Sequence, residues 1–191
     1  VVGFDRSPGM IGYARARQER LGLAGTFFEA EMTDFAARVR PRCGFAFNPI
    51  NSVRHLMSDG AMLAHLEQMA RALRRGGVYA VGLSTCAYGM ESESEDVWTA
   101  RRGGTRVRQV VQYLPPGASR RERVISHVEV ETGRGSRSID SVYELRSYSR
   151  EEWRALVERS AMRVLGVVDE EGREMEEPAF GYAVYVLGAA G

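Results

Sequence analysis

The most constraining feature of this sequence is the order in which its apolar runs and helical patterns alternate. Val1-Val2-Gly3-Phe4-Asp5 reads as a short buried strand ending in an acid. Ser7-Pro8 then opens a helix, with Ser7 as N-cap and Pro8 at the first helical position, where its missing N–H is harmless. That helix is expected to turn Met10, Ile11 and Ala14 inward and to end before Gly22. Thr26 to Glu31 is a second strand, and Cys43 to Asn48, which carries no charge, is a third. Ser58-Asp59 opens the clearest helix, with Met62, Leu66, Met69 and Leu73 at helical spacing. Arg74 and Arg75 suit its C-terminal end, and Gly76-Gly77 is its expected stop. Val78 to Leu83 follows as a fourth buried strand. This rhythm predicts an α/β fold with a mainly parallel sheet covered on both faces.

After Cys86 the character changes. Residues 88–106 are acidic, then basic, and rich in turn formers. Arg106–Tyr113, Glu122–Glu131 and Ile139–Tyr148 alternate or nearly so, separated by Pro115-Pro116-Gly117 and Gly133-Arg134-Gly135, which reads as an antiparallel meander. Ser149 to Glu152 is a capping box opening a helix through Ser160. Arg163–Val168 and Phe180–Leu187 close the chain as two more strands. A chain of 191 residues, 44% of them hydrophobic, suffices for one core with a small appended lobe.

Several chemistries are set aside by composition. The formal charge of +1 favours neither nucleic acid nor a membrane surface. Every one of the 26 cations is arginine, so Schiff-base and lysine general-base chemistry are excluded. Cys43 and Cys86 form no CxxC pair, and His55, His65 and His127 have no metal-ligand spacing, so neither a zinc site nor a disulfide framework is expected. No segment approaches the roughly 20 apolar residues of a membrane span, and no signal peptide is apparent. A cytoplasmic location is expected, with both cysteines reduced. The basic cluster Arg101, Arg102, Arg106, Arg108, Arg120, Arg121 and Arg123 is offset by the acids of 91–96 and reads as a solvated lobe surface.

Ligands of open parallel sheets bind at the carboxyl ends of the strands. Asp5 ends the first strand, where a carboxylate suits the vicinal hydroxyls of a ribose and equally suits the positive end of the following helix. Glu31 and Met32 end the next strand, where an acid suits an adenine edge or merely solvent. Phe47-Asn48-Pro49-Ile50-Asn51-Ser52 leaves the third strand with more polar groups than a core needs, which suits the mouth of a pocket. His55 lies four residues beyond Asn51, as a base or as a structural histidine.

The order of these features resembles the class I S-adenosylmethionine-dependent methyltransferases. VVGFDRSPGMIGYARAR is similar to that family's second strand and following helix, usually V-x-G-x-D-x-S-x-x-M-x-x-x-A. EAEMTDF resembles the next strand end, often G-D-M or G-D-A, and FAFNPINSVRHL resembles the fourth strand with its substrate-side loop. LEQMARALRRGGVYAVGL resembles the helix and strand written L-x-P-G-G, and LRSYSREEWRALVERSAMRVLGV resembles the late segment R-x-Y-T-x-E-E-L. The hairpin-rich middle is similar to small-molecule N-methyltransferases acting on amino sugars and glycine-like amines.

The resemblance implies a Rossmann-like doubly wound sheet with an antiparallel β insert. Residues 1–86 would form the cofactor-binding core, 87–148 a substrate cover or dimer contact, and 149–191 the completion of the core sheet. It implies an enzyme of the EC 2.1.1 class that moves a methyl group from S-adenosylmethionine to a small-molecule acceptor, an amine, with no nucleic-acid or membrane partner and with a homodimer as the expected assembly. Asp5 would hold the ribose hydroxyls, and Arg6 and Met10 would flank the adenosine. Glu31 would face the adenine amino group with the Met32 amide nearby, and Phe47 and Asn48 would lie near the methionine moiety. His55 would stand beside the acceptor as the catalytic residue, with Asn51, Tyr88, Trp98, Arg146 and Tyr148 as acceptor-side groups and Tyr13 as a further wall. Gly44 and Arg75 stand where the family has aspartate and proline. The family's first strand and its acidic glycine loop, D/E-x-G-x-G-x-G, are absent from this chain and are expected before Val1, which makes the sequence read as a fragment. Two other readings remain: a non-catalytic methyltransferase-fold protein, and an NAD(P)-dependent oxidoreductase, in which a Tyr-x-x-x-Lys pair is impossible without lysine.

Overall fold

The computed structural model describes residues 1–117 and 119–190. Strand β1 (Val2–Asp5) leads through helix α1 (Pro8–Arg20) to β2 (Thr26–Glu29), and the two strands pair in parallel. Strand β3 (Cys43–Asn48), helix α2 (Asp59–Ala72) and strand β4 (Leu73–Thr85) repeat the pattern, with β3 and β4 parallel. The chain then runs through β5 (Ser94–Arg102), β6 (Thr105–Leu114), β7 (Arg121–Thr132) and β8 (Gly135–Arg146), which pair successively as an antiparallel meander. Helix α3 (Arg150–Glu158) and strands β9 (Met162–Val168) and β10 (Gly181–Ala189) complete the order. The central sheet runs β3-β4-β10-β9, with β10 antiparallel to both neighbours. Among the described residues β1 pairs with β2 alone, and β3 with β4 alone.

Each helix begins at a serine cap, and α2 and α3 also carry an apolar face. The Ser7 hydroxyl accepts from Met10 N–H with Pro8 at the start of α1, and the Ser58 hydroxyl accepts from Ala61 N–H at the start of α2. At α3, Ser149 and Glu152 cap each other's backbone N–H reciprocally. Met62, Leu66 and Met69 of α2 and Trp153, Leu156 and Val157 of α3 enter one core with Tyr79, Val81 and Leu83 of β4 and Ala183, Tyr185 and Leu187 of β10. Trp153 lies fully buried, edge-on to Tyr148 and Tyr185. Burying each such large side chain contributes about 1.5–3 kcal/mol. Val2, Phe4 and Phe28 join this core, whereas Ile11 of α1 is buried outside it, so α1 covers the other side of the β1–β2 pair.

Four expectations need correction. Only Ile11 of α1 is buried, and Met10 is 55% exposed. β2 ends at Glu29, and Glu31 sits beyond it in a single bridge to Asp34. α2 stops at Ala72, because Leu73 already pairs with Cys43; Arg74 to Gly77 lie within β4, where the register shifts, rather than ending the helix. Residues 94–102, expected to be turn-rich, form β5. That strand is exposed throughout, so pairing with β6 and not burial fixes it.

The meander has two chemically different faces. One carries cross-strand ion pairs, Arg106–Glu131 and Arg108–Glu129, with His127–Asp140 beside them. The other presents Asp96, Tyr113, Glu122, Tyr143 and Leu145, positions brought to one side by the registers Tyr113↔Val124, Val124↔Tyr143, Glu122↔Leu145 and Asp96↔Val111.

Candidate functional site

The loop leaving β3 is strained. Ile50 and Asn51 both adopt positive φ, 58° and 61°. A β-branched residue such as Ile50 rarely does so, because its Cβ crowds the backbone. The conformation is held from three directions. Ile50 N–H donates to the Tyr182 hydroxyl at 3.3 Å. Asn51 donates through Nδ2 to Ser84 Oγ and accepts from Ser84 N–H through Oδ1, at 2.9 and 2.6 Å. Asn51 N–H donates to the Gly82 carbonyl at 3.2 Å. Gly82 permits this approach, since a Cβ there would come within 2.9 Å of Ile50 N. Strain retained by so many contacts is characteristic of functional loops.

The loop then makes a single 3-10 turn over Ser52–His55, and the meander lies across it. Between them is a cavity of about 400 Å³ lined by Ile50 to Ser52, Arg54 and His55 below and by Asp96, Tyr113, Glu122, Tyr143 and Leu145 above, with Ser84 at its floor. His55 packs on Tyr143, ring centroids 5.6 Å apart. Burial, then the charges of Arg6 and Arg54, hold its pKa below the ordinary histidine value, so its imidazole is neutral at neutral pH. Arg6 follows Asp5 directly, which places the end of β1 and the cavity at the same end of the molecule. Burial and the nearby Glu122 carboxylate raise the Tyr143 pKa, and burial with Asp96 raises that of Tyr113, so both phenols keep their protons.

Asp5 lies half-buried at the end of β1, and its Oδ1 accepts from Ser7 N–H at 2.8 Å. Among the described residues no hydrogen bond engages Oδ2. A second cavity, about 350 Å³, is lined by Glu29, Ala30, Glu31, Asp34, Phe35, Ala37 and Arg38. Asp5 pairs in register with Glu29, one of the residues lining that cavity, so the carboxylate lies at its edge. Met32 is tied into the core beneath: its carbonyl accepts from His65 Nδ1 at 2.9 Å, and His65 Nε2 accepts from the Tyr79 hydroxyl at 2.9 Å. Burial drives the His65 pKa down to about 4. Asn48 Nδ2 approaches the Met32 sulfur, joining the end of β3 to the same network.

The structure therefore brings Asn51 and His55 together at one cavity, with Arg6 near. Glu31 lines the other cavity, and Met32 and Asn48, in contact with each other, line neither. Met10 and Phe47 are exposed. Of the acceptor-side expectations only Asn51 lines the first cavity. Tyr148 is fully buried against Trp153, because its position beside the α3 cap points it into the core. Arg146 is tied to Asp59 at 3.0 Å, and the Tyr88 hydroxyl donates to Glu152 at 2.7 Å. Trp98 is half-exposed on β5, and Tyr13 faces Arg102, whose guanidinium lowers its pKa. None of these five lines that cavity. Sequence reasoning passed over Arg54, Ser84, Asp96, Tyr113, Glu122 and Tyr143. The alternation of 106–113 and 122–131 carried a usable signal, since a polar Glu122 on the apolar side of a strand marks a pocket.

No family model and no curated protein sequence matches the chain. Solved structures do. An S-adenosylmethionine-dependent methyltransferase from Clostridium acetobutylicum ATCC 824 superposes with a TM-score of 0.80 at 13% identity, over 100% of this chain and 75% of that one. DesVI of Streptomyces venezuelae superposes with a TM-score of 0.77 at 22% identity, over 99% of this chain and 74% of that one. An amino pentose methyltransferase from Micromonospora echinaspora, involved in calicheamicin biosynthesis, gives 0.69 at 20% identity over 97% and 73%. Identities this low speak for architecture. The chain has the Rossmann-like fold of the S-adenosylmethionine-dependent methyltransferases, with an antiparallel β meander set into it.

Proposed function

We propose that this protein transfers a methyl group from S-adenosylmethionine to a small-molecule acceptor, an amine. One observation carries the reading: a strained loop presents Asn51 and a neutral His55 to a cavity that the meander roofs, beside the strand end bearing Asp5. Bound S-adenosylmethionine supplies a methyl group already activated on a sulfonium, so the protein's task is binding, alignment and exclusion of water. Asp5 holds the ribose hydroxyls through its carboxylate, flanked by Arg6. Glu31 and the Met32 backbone face the adenine, and Asn48 lies toward the methionine moiety. On the acceptor side, the carboxylate of Asp96 favours a cationic amine, the charge of Glu122 being taken up by Arg54. His55 Nδ1 or Nε2 takes the proton the amine must lose. Residues 1–86 form the cofactor core in this reading, 87–148 the acceptor cover, and 149–191 complete the sheet. The half-exposed Trp98 and Ile139, on the face of the meander opposite its ion pairs, suit a dimer contact, which sedimentation would detect.

Calorimetry with S-adenosylmethionine tests the proposal. Binding that Asp5→Ala weakens by roughly tenfold or more supports it, since a hydrogen bond to a charged group contributes about 1.5–3 kcal/mol. No binding by the wild-type protein, or the same affinity in Asp5→Ala, overturns it.

A further inference from the structure

Arg54 is 6% exposed although it lies in a surface turn. Its Nε donates to the Arg146 carbonyl at 2.8 Å, and its Nη2 donates to Glu122 Oε2 at 2.7 Å and to Ser147 Oγ at 3.2 Å. All three acceptors belong to the roof or its root: Glu122 to β7, Arg146 to the end of β8, Ser147 just beyond. Its own N–H donates to the Asn51 carbonyl at 2.9 Å, and Asn51 is bound in turn to Ser84 of β4. The chain of bonds thus runs from the core sheet through the strained loop into the meander. His55, the next residue, meets Tyr143 of β8 from the same turn.

We propose that Arg54 is a positioning residue that seats the meander on the loop and thereby holds His55 against Tyr143 at the acceptor side of the cavity. The inference takes the acceptor side from the proposed function. Arg54 itself donates to roof acceptors and not toward a reacting atom. A buried arginine suits the task better than lysine, because its planar fork reaches acceptors in different directions at once. Glu122 has only 17% of its side chain exposed, and no other cation lies within ion-pair distance of it among the described residues.

The test needs no acceptor. In the full chain, NMR reads the His55 ring protons, whose shifts carry the ring current of Tyr143, with Tyr143→Leu as the reference for a lost contact. Hydrogen exchange reads residues 121–126 and 139–147. Arg54→Met should move the His55 shifts to those of Tyr143→Leu and speed exchange in both segments by about tenfold, while α3 and β10 stay protected. Arg54→Lys should restore part of both signals, and Glu122→Gln should shift them in the same direction by less. Wild-type His55 shifts and exchange in Arg54→Met overturn the proposal; if that variant does not fold, unchanged shifts in Glu122→Gln do so. Failure of the wild-type protein to bind S-adenosylhomocysteine would remove the methyl-transfer reading while the seating measurements stood on their own.

Discussion

His55 and Tyr143, 88 positions apart in the chain, face each other with ring centroids 5.6 Å apart and planes inclined by 35°. The histidine comes from the strained loop and the tyrosine from the meander, so their contact exists only when the roof is seated. In the proposed reaction His55 must be neutral to accept a proton. Its folded pKa lies below the ordinary histidine value, so the neutral form persists to lower pH than in solution. His55→Ala should lower turnover about 100-fold or more with little change in cofactor affinity, and the acid limb of the wild-type pH profile should fall below about pH 6.5. Steady-state kinetics with calorimetry checks both, and unchanged turnover would remove His55 from the mechanism.

The buried His65 makes a prediction about stability. Its folded pKa is depressed to about 4, so the folded protein keeps it neutral while the unfolded chain protonates it near pH 6.5. The stabilisation is therefore present above about pH 6.5 and is lost as pH falls toward 4. The loss is on the order of 3 kcal/mol. Denaturant unfolding between these pH values should show it, and His65→Gln should flatten this part of the profile.

Ile50 offers a stabilising substitution. Its side chain is 77% exposed, so little burial is lost on replacing it, yet its φ is 58°. Asparagine tolerates this region better, and Ile50→Asn should stabilise by about 1 kcal/mol. That corresponds to a rise in melting temperature of about 2–4 °C for a chain of this size. A fall in melting temperature would show that the strain is absent.

The capping box of α3 should behave locally. Ser149→Ala removes the bond from Glu152 N–H and should destabilise by about 1 kcal/mol. The Glu152 carboxylate would keep its bond from the Tyr88 hydroxyl. Urea unfolding measures the loss, and a value near zero would mean that Glu152 and Tyr88 hold the helix start without the serine.

The elements were legible wherever a local signal sufficed. Ser7-Pro8, Ser58 and the box at Ser149 mark helix starts in the sequence, and each caps its helix in the structure. The uncharged run of β3 marked a strand whose ends are those expected. β5 escaped because its nine residues are all exposed and no apolar alternation reports them; β6 holds the strand through backbone pairing. Gly76-Gly77 misled because glycine stops helices by conformation, whereas here a strand pairing at Leu73 had already ended α2. Tyr148 misled because its neighbour Ser149 is a cap, and the helix that follows turns the ring into the core.

By itself the sequence determined the order of the helices and of every strand but β5, the helix caps, and the positions of Asp5 and of the Asn51–His55 loop at strand ends. These follow from periodicity and from side chains that act on their own backbone. Only the tertiary structure decided which residues share the cavity with His55. Arg54 and Glu122 are 68 positions apart, and Tyr143 reaches His55 through a register set by two hairpins. No local period encodes such pairings, because a shift of one residue in the meander would turn Tyr113, Glu122 and Tyr143 to its other face.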